Sequence, residues 1–348
     1  MVIAAGGTAG HVVPALAVAD ALRTHGADVA FIGGTRAEAQ LVPAAGYPLH
    51  TISVTGLSRT NPLAALRSLA RAARAFLRAR ALLAQLRPDA VMGGGGYVSG
   101  PVGLAAVTRR IPLVLTEADS HLGLANRALA PFARRVCLAF APAKPAGRYR
   151  VTGRPVPPPQ TDRAIARARL RIDSTETCVL VFGGSLGARS INLAAVDAYA
   201  GAAFHVLHVC GRRDYAELSA RPLPAGYDLR EYLDLPDFAD ALAAADLVVA
   251  RAGGSLFEIA AHGRPAILVP YPHAAADHQT ANARWMTGAG AAIALADEEL
   301  SADRLARETA ALLADPARLR AMAAASLRLG RPDAAHAVAR ELLEAAQR

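Results

Sequence analysis

Cysteine is scarce in this chain of 348 residues, and its pattern excludes two kinds of site. Cys137, Cys178 and Cys210 lie far apart and form no Cys-x-x-Cys pair. An odd number of scattered cysteines argues against a disulfide framework and a structural zinc site, and it favours a reducing compartment. We therefore predict that the protein binds no metal.

Long apolar runs and a secretion signal are also missing. No stretch of about 20 apolar residues is free of charge, so we expect no membrane-spanning segment. The chain opens into a strand-like run and a glycine turn without a basic leader, so we expect no signal peptide. Acidic residues are absent between Glu38 and Asp89, and the formal net charge is +9. A basic balance suits nucleic acid, anionic lipid or a phosphorylated small molecule without choosing among them.

Short apolar runs alternate with stretches of helical length along most of the chain. This alternation predicts an α/β fold, with parallel sheets covered by helices. It stops at GRYRVTGRPVPPPQTD, where the prolines can continue neither a helix nor a central strand. We predict an N-terminal domain over residues 1–153, a linker over 154–161 and a C-terminal domain over 162–348. The last helix could pack back on the N-terminal domain.

The opening of the chain is repeated in form after the linker. MVIAAGGTAGHVVPALAVADAL and CVLVFGGSLGARSINLAAVDAY both place an apolar strand, a glycine turn and a helix in that order. One kind of unit used twice predicts two Rossmann-like, doubly wound domains that face each other across a cleft. Ligands in such sheets bind at the carboxyl ends of the strands.

Glycine turns also follow other strand-like runs, in GGGGYVSGP and at Gly253-Gly254-Ser255. Glycines at a helix start let the backbone approach an anion closely, although each turn alone could be only a tight connection. Four such turns favour phosphate binding. They match neither the G-x-G-x-x-G dinucleotide pattern nor the G-K-[ST] end of a P-loop. Glu258 stands one helical turn further on, where a carboxylate could bind a ribose diol or could merely favour the helix dipole.

Five motifs in order resemble the MurG family of bacterial glycosyltransferases: GGTAGHVVPALAVADAL, GGYVSGPVGLAA, GGSLGARSIN, ARAGGSLFEIAAHGRPAILVPYP and DHQTANA. The resemblance implies a GT-B fold without metal or cofactor. It implies that N-acetylglucosamine is moved, with inversion, from UDP-N-acetylglucosamine to the 4-hydroxyl of undecaprenyl-diphosphate-linked muramoyl-pentapeptide. Such an enzyme would bind peripherally at the cytoplasmic face of the cell membrane, and it would bind no nucleic acid.

Other functions remain open from the sequence. One is another GT-B enzyme that uses a UDP-sugar, such as a natural-product or lipid glycosyltransferase or a UDP-sugar epimerase. An NAD-dependent oxidoreductase is disfavoured by the glycine spacing. A nucleotide-binding regulatory protein without turnover would be expected to lack the acids and the histidine of the cleft.

The resemblance also assigns substrate contacts. In the N-terminal domain these are Thr8, Ala9 and Gly10 of the first glycine loop, His11 at its end, Asp119 and Asn126. In the C-terminal domain they are Ser185 at the donor phosphates, Leu233 at the uracil, Gly253, Gly254 and Ser255 at the α-phosphate, Glu258 at the ribose, and Gln279 with His278 at the sugar.

His11 is predicted to act in the reaction, either as the general base or as a hydrogen-bond donor to the acceptor or a phosphate, because an imidazole titrates near neutrality. A helix-start histidine that only packs the loop is the alternative. Asp119 is a competing base, since it places a carboxylate where the family has an amide. The chain departs from the family pattern at several positions. Thr116 and Asp119 stand in a stretch that is usually H-E-x-N in the family. Leu186 stands where the family has glutamine, and Pro157 stands where it commonly has arginine.

The stretch NPLAALRSLARAARAFLRARALLAQLRPD has the composition of a helix that lies on a membrane. Its arginines recur at helical spacing, at Arg67, Arg71, Arg74 and Arg78. Apolar side chains beside them are Leu63, Leu66, Leu69, Phe76 and Leu77. We predict that it docks on anionic lipid. The alternative is an ordinary Rossmann helix whose apolar side is core and whose arginines are solvated.

Overall fold

A computed structural model of the chain divides into two compact units. Unit 1 contains Met1–Pro157 and Pro332–Arg348, and unit 2 contains Pro158–Arg331. The structure describes residues 1–54, 62–119, 121–141, 147–184, 186–274 and 277–347, with the backbone alone over 62–70. Within these ranges no helix is both long and apolar enough to cross a membrane.

Unit 1 is built on a seven-stranded parallel sheet. Its strands are β1 (Val2–Ala4), β2 (Ala30–Gly33), β3 (Leu49–Thr51), β4 (Val91–Gly93), β5 (Leu113–Glu117), β6 (Arg135–Leu138) and β7 (Tyr149–Val151). The strand order is β3-β2-β1-β4-β5-β6-β7. The order reverses between β1 and β4, and this switch point is where open α/β sheets bind ligands.

Helices cover both faces of this sheet. They are α1 (Ala9–Thr24), α2 (Ala37–Ala44), α3 (Pro62–Leu86), α4 (Gly96–Thr108) and α5 (Leu124–Leu129), followed by a 3-10 turn at Ala130–Phe132. The central strands β1, β2 and β4 contain only apolar residues and glycine, because both faces of the sheet are covered there. In β1, for example, Val2, Ile3 and Ala4 are all buried.

Unit 2 repeats the architecture with six parallel strands. They are β8 (Cys178–Phe182), β9 (His205–Val209), β10 (Tyr227–Arg230), β11 (Leu247–Ala250), β12 (Ala266–Leu268) and β13 (Ala292–Ala294). Their order is β10-β9-β8-β11-β12-β13, so the switch point lies between β8 and β11. Two doubly wound parallel sheets confirm the predicted α/β class with two Rossmann-like domains.

Four of the α-helices of unit 2 begin at a side-chain cap. The helices of this unit are α6 (Arg163–Leu170), α7 (Arg189–Ala198), α8 (Tyr215–Ser219), α9 (Leu235–Ala244), α10 (Leu256–Ala261), α11 (His278–Gly288), α12 (Ala302–Leu313) and α13 (Pro316–Leu329), with a 3-10 turn at Asp297–Glu299. Asp162, Asp234, Ser301 and Asp315 each cap a helix by accepting a backbone hydrogen bond. Such caps satisfy N–H groups that the helix itself leaves open.

The last helix, α14 (Ala334–Ala346), belongs to unit 1. Val338 and Leu342 are buried in a core cluster that also contains Val18 and Leu22 of α1. Glu341 accepts a hydrogen bond from Arg135 Nε at 2.8 Å. The first 157 residues therefore form unit 1 only together with the end of the chain.

Candidate active site

Two glycine turns of unit 1 meet at its switch point, one after β1 and one after β4. Gly7 has φ +111°, Gly95 +87° and Gly96 +74°, a region that favours glycine. A Cβ atom on Gly96 would lie 2.0 Å from the Gly6 carbonyl oxygen. The two turns therefore pack backbone against backbone, and side chains are excluded from the contact.

The four helices that follow glycine turns share one feature. Their N-cap residues are Thr8 for α1, Gly95 for α4, Ala188 for α7 and Ser255 for α10, and none of them makes a side-chain capping hydrogen bond. Unsatisfied N–H groups at a helix start attract anions. At the start of α1 these N–H groups belong to Thr8, Ala9 and Gly10, for which a phosphate contact is predicted.

His11 lies in the first turn of α1 and is held from two sides. Its Nδ1 atom is 3.3 Å from Thr8 Oγ1. Its ring lies so close to the β4 turn that a Cβ atom on Gly95 would be 2.8 Å from Cδ2. Burial lowers the pKa of His11, nearby Arg154 lowers it too, and Asp119 and Glu38 oppose them with a smaller effect. The imidazole is therefore neutral at pH 7, the state that a general base needs.

The loop after β5 is organised around Glu117. This carboxylate accepts hydrogen bonds from Asp119 N at 3.3 Å, Gly123 N at 2.8 Å and Asn126 Nδ2 at 2.9 Å. Asn126 is buried and also donates to Thr116 O at 2.9 Å. Its Oδ1 atom has no hydrogen-bond partner among the described residues. The amide nitrogen thus serves the loop, and the substrate contact predicted for Asn126 stays a prediction.

In unit 2 the glycine turn after β8 packs on the end of β9. A Cβ atom on Gly187 would lie 1.9 Å from Cys210 O, and Gly211 has φ +82° beside it. Leu186, where the family has glutamine, is 60% exposed. Ser185, predicted to face the donor phosphates, lies outside the described residues.

The turn after β11 brings several predicted donor contacts together. Gly253, Gly254 and Ser255 are partly exposed, and Glu258 follows in α10, where its N–H donates to Ser255 O at 3.0 Å. A Cβ atom on Gly253 would be 3.8 Å from Gln279 Nε2. Gln279 and His278 begin α11. The predicted phosphate, ribose and sugar contacts therefore cluster at one edge of the sheet.

Leu233 stands apart from this cluster. It follows β10, which is three strands from β11, or about 14 Å across the sheet at the usual strand spacing. Its side chain is buried. A ligand that touched both places would have to extend along the carboxyl ends of the strands.

Comparison with known proteins decides the family. The model of the glycosyltransferase family 28 N-terminal domain matches residues 1–138, and that of the C-terminal domain matches residues 178–338. The UDP-N-acetylglucosamine--N-acetylmuramyl-(pentapeptide) pyrophosphoryl-undecaprenol N-acetylglucosamine transferase of Moorella thermoacetica is 42% identical, over 99% of this chain and 98% of that protein. The chain belongs to the MurG group of glycosyltransferase family 28.

Two further members of the MurG group are similar over their whole length. The protein of the same name from Acidithiobacillus ferrooxidans is 43% identical over 99% of this chain and 98% of its own. The crystal structure of Acinetobacter baumannii MurG is 31% identical, covers 99% of both chains and has a TM-score of 0.78. The resemblance found in the sequence is thereby confirmed.

In this MurG-group chain, sequence reasoning missed several polar residues that hold the site. Arg251 donates to Asp297 Oδ1 at 2.6 Å and to Ser190 Oγ at 2.8 Å, and Asn282 Nδ2 donates to Ala252 O at 3.0 Å. Both fix the turn after β11. Both residues lie inside quoted motifs, Arg251 in ARAGGSLFEIAA and Asn282 in DHQTANA. The residue type alone, however, does not distinguish a buried arginine from one on the surface.

A metal-binding cluster is another possible feature of such a site. No group of three or more histidine, cysteine, aspartate or glutamate side chains within the described ranges could hold a metal ion.

Proposed function

We propose that this chain transfers N-acetylglucosamine from UDP-N-acetylglucosamine to the 4-hydroxyl of undecaprenyl-diphosphate-linked muramoyl-pentapeptide, with inversion at the anomeric carbon. The observation that carries the proposal is the match to relatives named for this transfer, at 42% and 43% identity over 99% of the chain. We assign the acceptor to unit 1 and the UDP-sugar to unit 2. The glycine turns at the two switch points support this division.

The chemical step needs a base, a nucleophile and a stabilised leaving group. His11 takes the proton of the acceptor 4-hydroxyl, and the oxygen attacks the anomeric carbon from the face opposite UDP. The bond from that carbon to the diphosphate oxygen breaks, and its electron pair leaves with UDP. Positive charge develops on the sugar, as in glycoside hydrolysis. Backbone N–H groups of the glycine turns stabilise the negative charge that develops on the diphosphate.

The donor contacts in unit 2 follow from the cluster at the end of β11. The backbone of Gly253, Gly254 and Ser255 binds the α-phosphate, because small residues leave the N–H groups accessible. Glu258 accepts hydrogen bonds from the ribose diol. Gln279 contacts the sugar through Nε2, since Tyr271 N already donates to its Oε1 at 2.9 Å.

Binding to the cytoplasmic face of the membrane is the third part of the proposal, because a lipid-linked acceptor stays in the bilayer. Arg71, Arg74 and Arg78 of α3 are exposed, and Leu77 beside them is 62% exposed. Phe76 instead packs against the core, so the apolar side of α3 is partly core. The side chains of Leu63, Leu66, Arg67 and Leu69 lie outside the described residues.

Further exposed apolar side chains lie on elements that follow α3 in unit 1. Leu104 on α4, which packs against α3, is 46% exposed. Leu124 on α5 is 58% exposed, and Phe132 in the following 3-10 turn is 65% exposed. Exposed apolar side chains next to arginines are the composition of a surface that inserts among anionic headgroups.

A transfer assay tests the proposed function. The purified chain is incubated with labelled UDP-N-acetylglucosamine and lipid-linked muramoyl-pentapeptide in vesicles. We expect label in a lipid-linked disaccharide with β configuration and one UDP released per sugar transferred. A UDP-sugar epimer formed without acceptor would instead establish an epimerase, and transfer only to soluble acceptors would establish another GT-B glycosyltransferase.

A further inference from the structure

A fully buried carboxylate lies beneath the first glycine turn of unit 1. Glu38, in the first turn of α2, is 0% exposed. It accepts hydrogen bonds from Gly7 N at 2.8 Å, Gly34 N at 2.8 Å and Tyr97 Oη at 2.9 Å. Gly7 lies in the loop after β1 and Gly34 in the loop after β2, and Tyr97 lies in the first turn of α4, which follows β4. One side chain thus joins three segments at the switch point.

Glycines let these loops close around the carboxylate. A Cβ atom on Gly6 would lie 2.7 Å from Glu38 Oε1, and one on Gly34 would lie 2.8 Å from it and 2.2 Å from Tyr97 Oη. A Cβ atom at either position would therefore force Glu38 or Tyr97 to move and would disturb their hydrogen bonds. The loops therefore pack directly against Glu38. Their glycines are needed for this contact, in addition to any role in binding a ligand.

The carboxylate is ionised in this place. Burial raises the pKa of Glu38, but the hydrogen bonds from Gly7, Tyr97 and Gly34 together lower it below the usual value. A buried charge is tolerated only when hydrogen bonds replace its water shell. One consequence concerns the phosphate contact, because the Gly7 N–H points at Glu38 and is not offered to a ligand. The N–H groups at Thr8, Ala9 and Gly10 remain for that role.

We propose that Glu38 is a positioning residue for the acceptor half of the reaction. Its carboxylate fixes the turn after β1 against the turn after β4, and so sets His11 and the start of α1 where the acceptor binds. This proposal rests on the proposed function, which assigns the acceptor to unit 1.

The same carboxylate acts on the charge state of His11. The charged groups that face this imidazole are Arg154 after β7, Asp119 after β5 and Glu38 on α2. The two carboxylates favour the protonated ring and Arg154 opposes it. Removing the charge of Glu38 therefore lowers the pKa of His11 further, which a purely mechanical support would not do.

Three variants of the full chain separate these effects. Glu38→Gln keeps the shape of the side chain, but it replaces one carboxylate oxygen, which accepts a hydrogen bond, with an amide NH2 group. That NH2 group then faces an N–H donor of the backbone. Tyr97→Phe removes a single hydrogen bond and keeps the charge. Glu341→Gln is the matched control, because it removes another largely buried carboxylate of unit 1, on α14 and paired with Arg135.

For each variant, KM and kcat are measured for acceptor and donor separately, together with the pH profile of kcat/KM and the thermal unfolding curve. We expect Glu38→Gln to raise the acceptor KM by about tenfold or more, to leave the donor KM within about twofold, and to move the acidic limb to lower pH. Tyr97→Phe should raise the acceptor KM by about threefold and leave the limb in place. Glu341→Gln should change only the unfolding curve.

Other results would overturn the proposal. One is that Glu38→Gln leaves both the acceptor KM and the acidic limb of the pH profile unchanged. The other is that Glu38→Gln raises the acceptor KM and the donor KM equally. If Glu38→Gln does not fold, an unchanged acceptor KM in Tyr97→Phe has the same meaning. If the wild type makes no lipid-linked disaccharide, the proposed function fails, and NMR titration of His11, assigned with His11→Ala, still tests the coupling. A His11 pKa that is equal in wild type and Glu38→Gln would overturn it.

Discussion

In the proposed mechanism, contacts on one ring nitrogen prepare His11 for proton transfer. A neutral imidazole can accept a proton at Nε2 only when its single N–H proton is on Nδ1. Thr8 Oγ1 lies 3.3 Å from Nδ1 and can accept a hydrogen bond from that N–H group. Because burial lowers the pKa of His11, the ring stays neutral to a lower pH than an exposed histidine.

Replacing His11 tests its assignment as the base. We expect His11→Ala to lower kcat by about 10²- to 10⁴-fold, the usual contribution of a general base, and Asp119→Asn to lower it less. In the wild type, kcat/KM should fall only below the ordinary histidine pKa of about 6.5, since the protonated ring cannot accept the acceptor proton. A His11→Ala variant near wild-type rate, beside an inactive Asp119→Asn variant, would make Asp119 the base.

Glu258 offers a second test at the scale of one side chain. Two charge-assisted hydrogen bonds to a ribose diol contribute roughly 1.5–3 kcal/mol each. We therefore expect Glu258→Ala to raise the donor KM by about two to four orders of magnitude, and Glu258→Gln to be intermediate. The acceptor KM is the internal control. Unchanged UDP affinity in Glu258→Ala, measured by calorimetry, would contradict the assignment.

Helix α3 carries the prediction that belongs to a whole element. Each arginine near an anionic surface contributes on the order of 1 kcal/mol of binding free energy. Replacing Arg67, Arg71, Arg74 and Arg78 with glutamine should therefore reduce sedimentation with anionic liposomes. Binding of the wild type should also weaken as salt is added, because salt screens the attraction.

A matched variant shows whether position or charge alone matters. Arg318, Arg320, Arg328 and Arg331 are exposed on unit 2, and their replacement with glutamine removes the same total charge. We expect this control to sediment like the wild type. If the α3 variant also sediments like the wild type, α3 is not the membrane contact and its arginines are only solvated surface charge.

The pattern of the sequence predicts elements better than it predicts the neighbours of polar side chains. Alternating apolar runs and glycine turns give the two sheets and place Thr8 and Gly253 at strand ends. They cannot separate Glu38 from a surface glutamate at a helix start, because burial depends on loops distant in sequence. The sequence pattern also does not distinguish Phe76 from Leu77, although Phe76 packs on the core and Leu77 is exposed.

Strand β9 contains a histidine whose role is structural. His208 is fully buried, with Nδ1 2.7 Å from Tyr227 Oη and Nε2 3.0 Å from Asn192 Oδ1. Asn192 in turn donates to Cys210 O at 2.8 Å, beside the glycine turn that follows β8. Burial lowers the pKa of His208 to about 4.

This buried ring predicts an acid-sensitive unit 2. The pKa is lower in the folded than in the unfolded chain, so the unfolded state binds the proton first as pH falls. Stability is therefore lost from about pH 6.5 down to about 4, by on the order of 3 kcal/mol for this group. Fluorescence of Trp285, the only tryptophan and part of unit 2, can follow unfolding in urea at each pH. His208→Gln should flatten this dependence, whereas replacement of the exposed His273 should not.

At the scale of the whole molecule, α14 links the end of the chain to its beginning. A chain that stops after Arg331 lacks Val338 and Leu342, which are buried beside α1. Loss of two large core side chains costs about 2–5 kcal/mol each. We expect unit 1 to melt at lower temperature in that variant, while the urea transition of Trp285 in unit 2 stays unchanged. Equal destabilisation of both units would contradict the division described above.

The position of α14 also sets an order of events on the ribosome. Unit 2 is continuous from Pro158 to Arg331, so its whole sequence has been translated before α14 is made. Unit 1 begins first and is completed last, because α14 is translated after the whole of unit 2. A premature stop codon just after Arg331 would therefore damage unit 1, although most of unit 1 had been translated before unit 2.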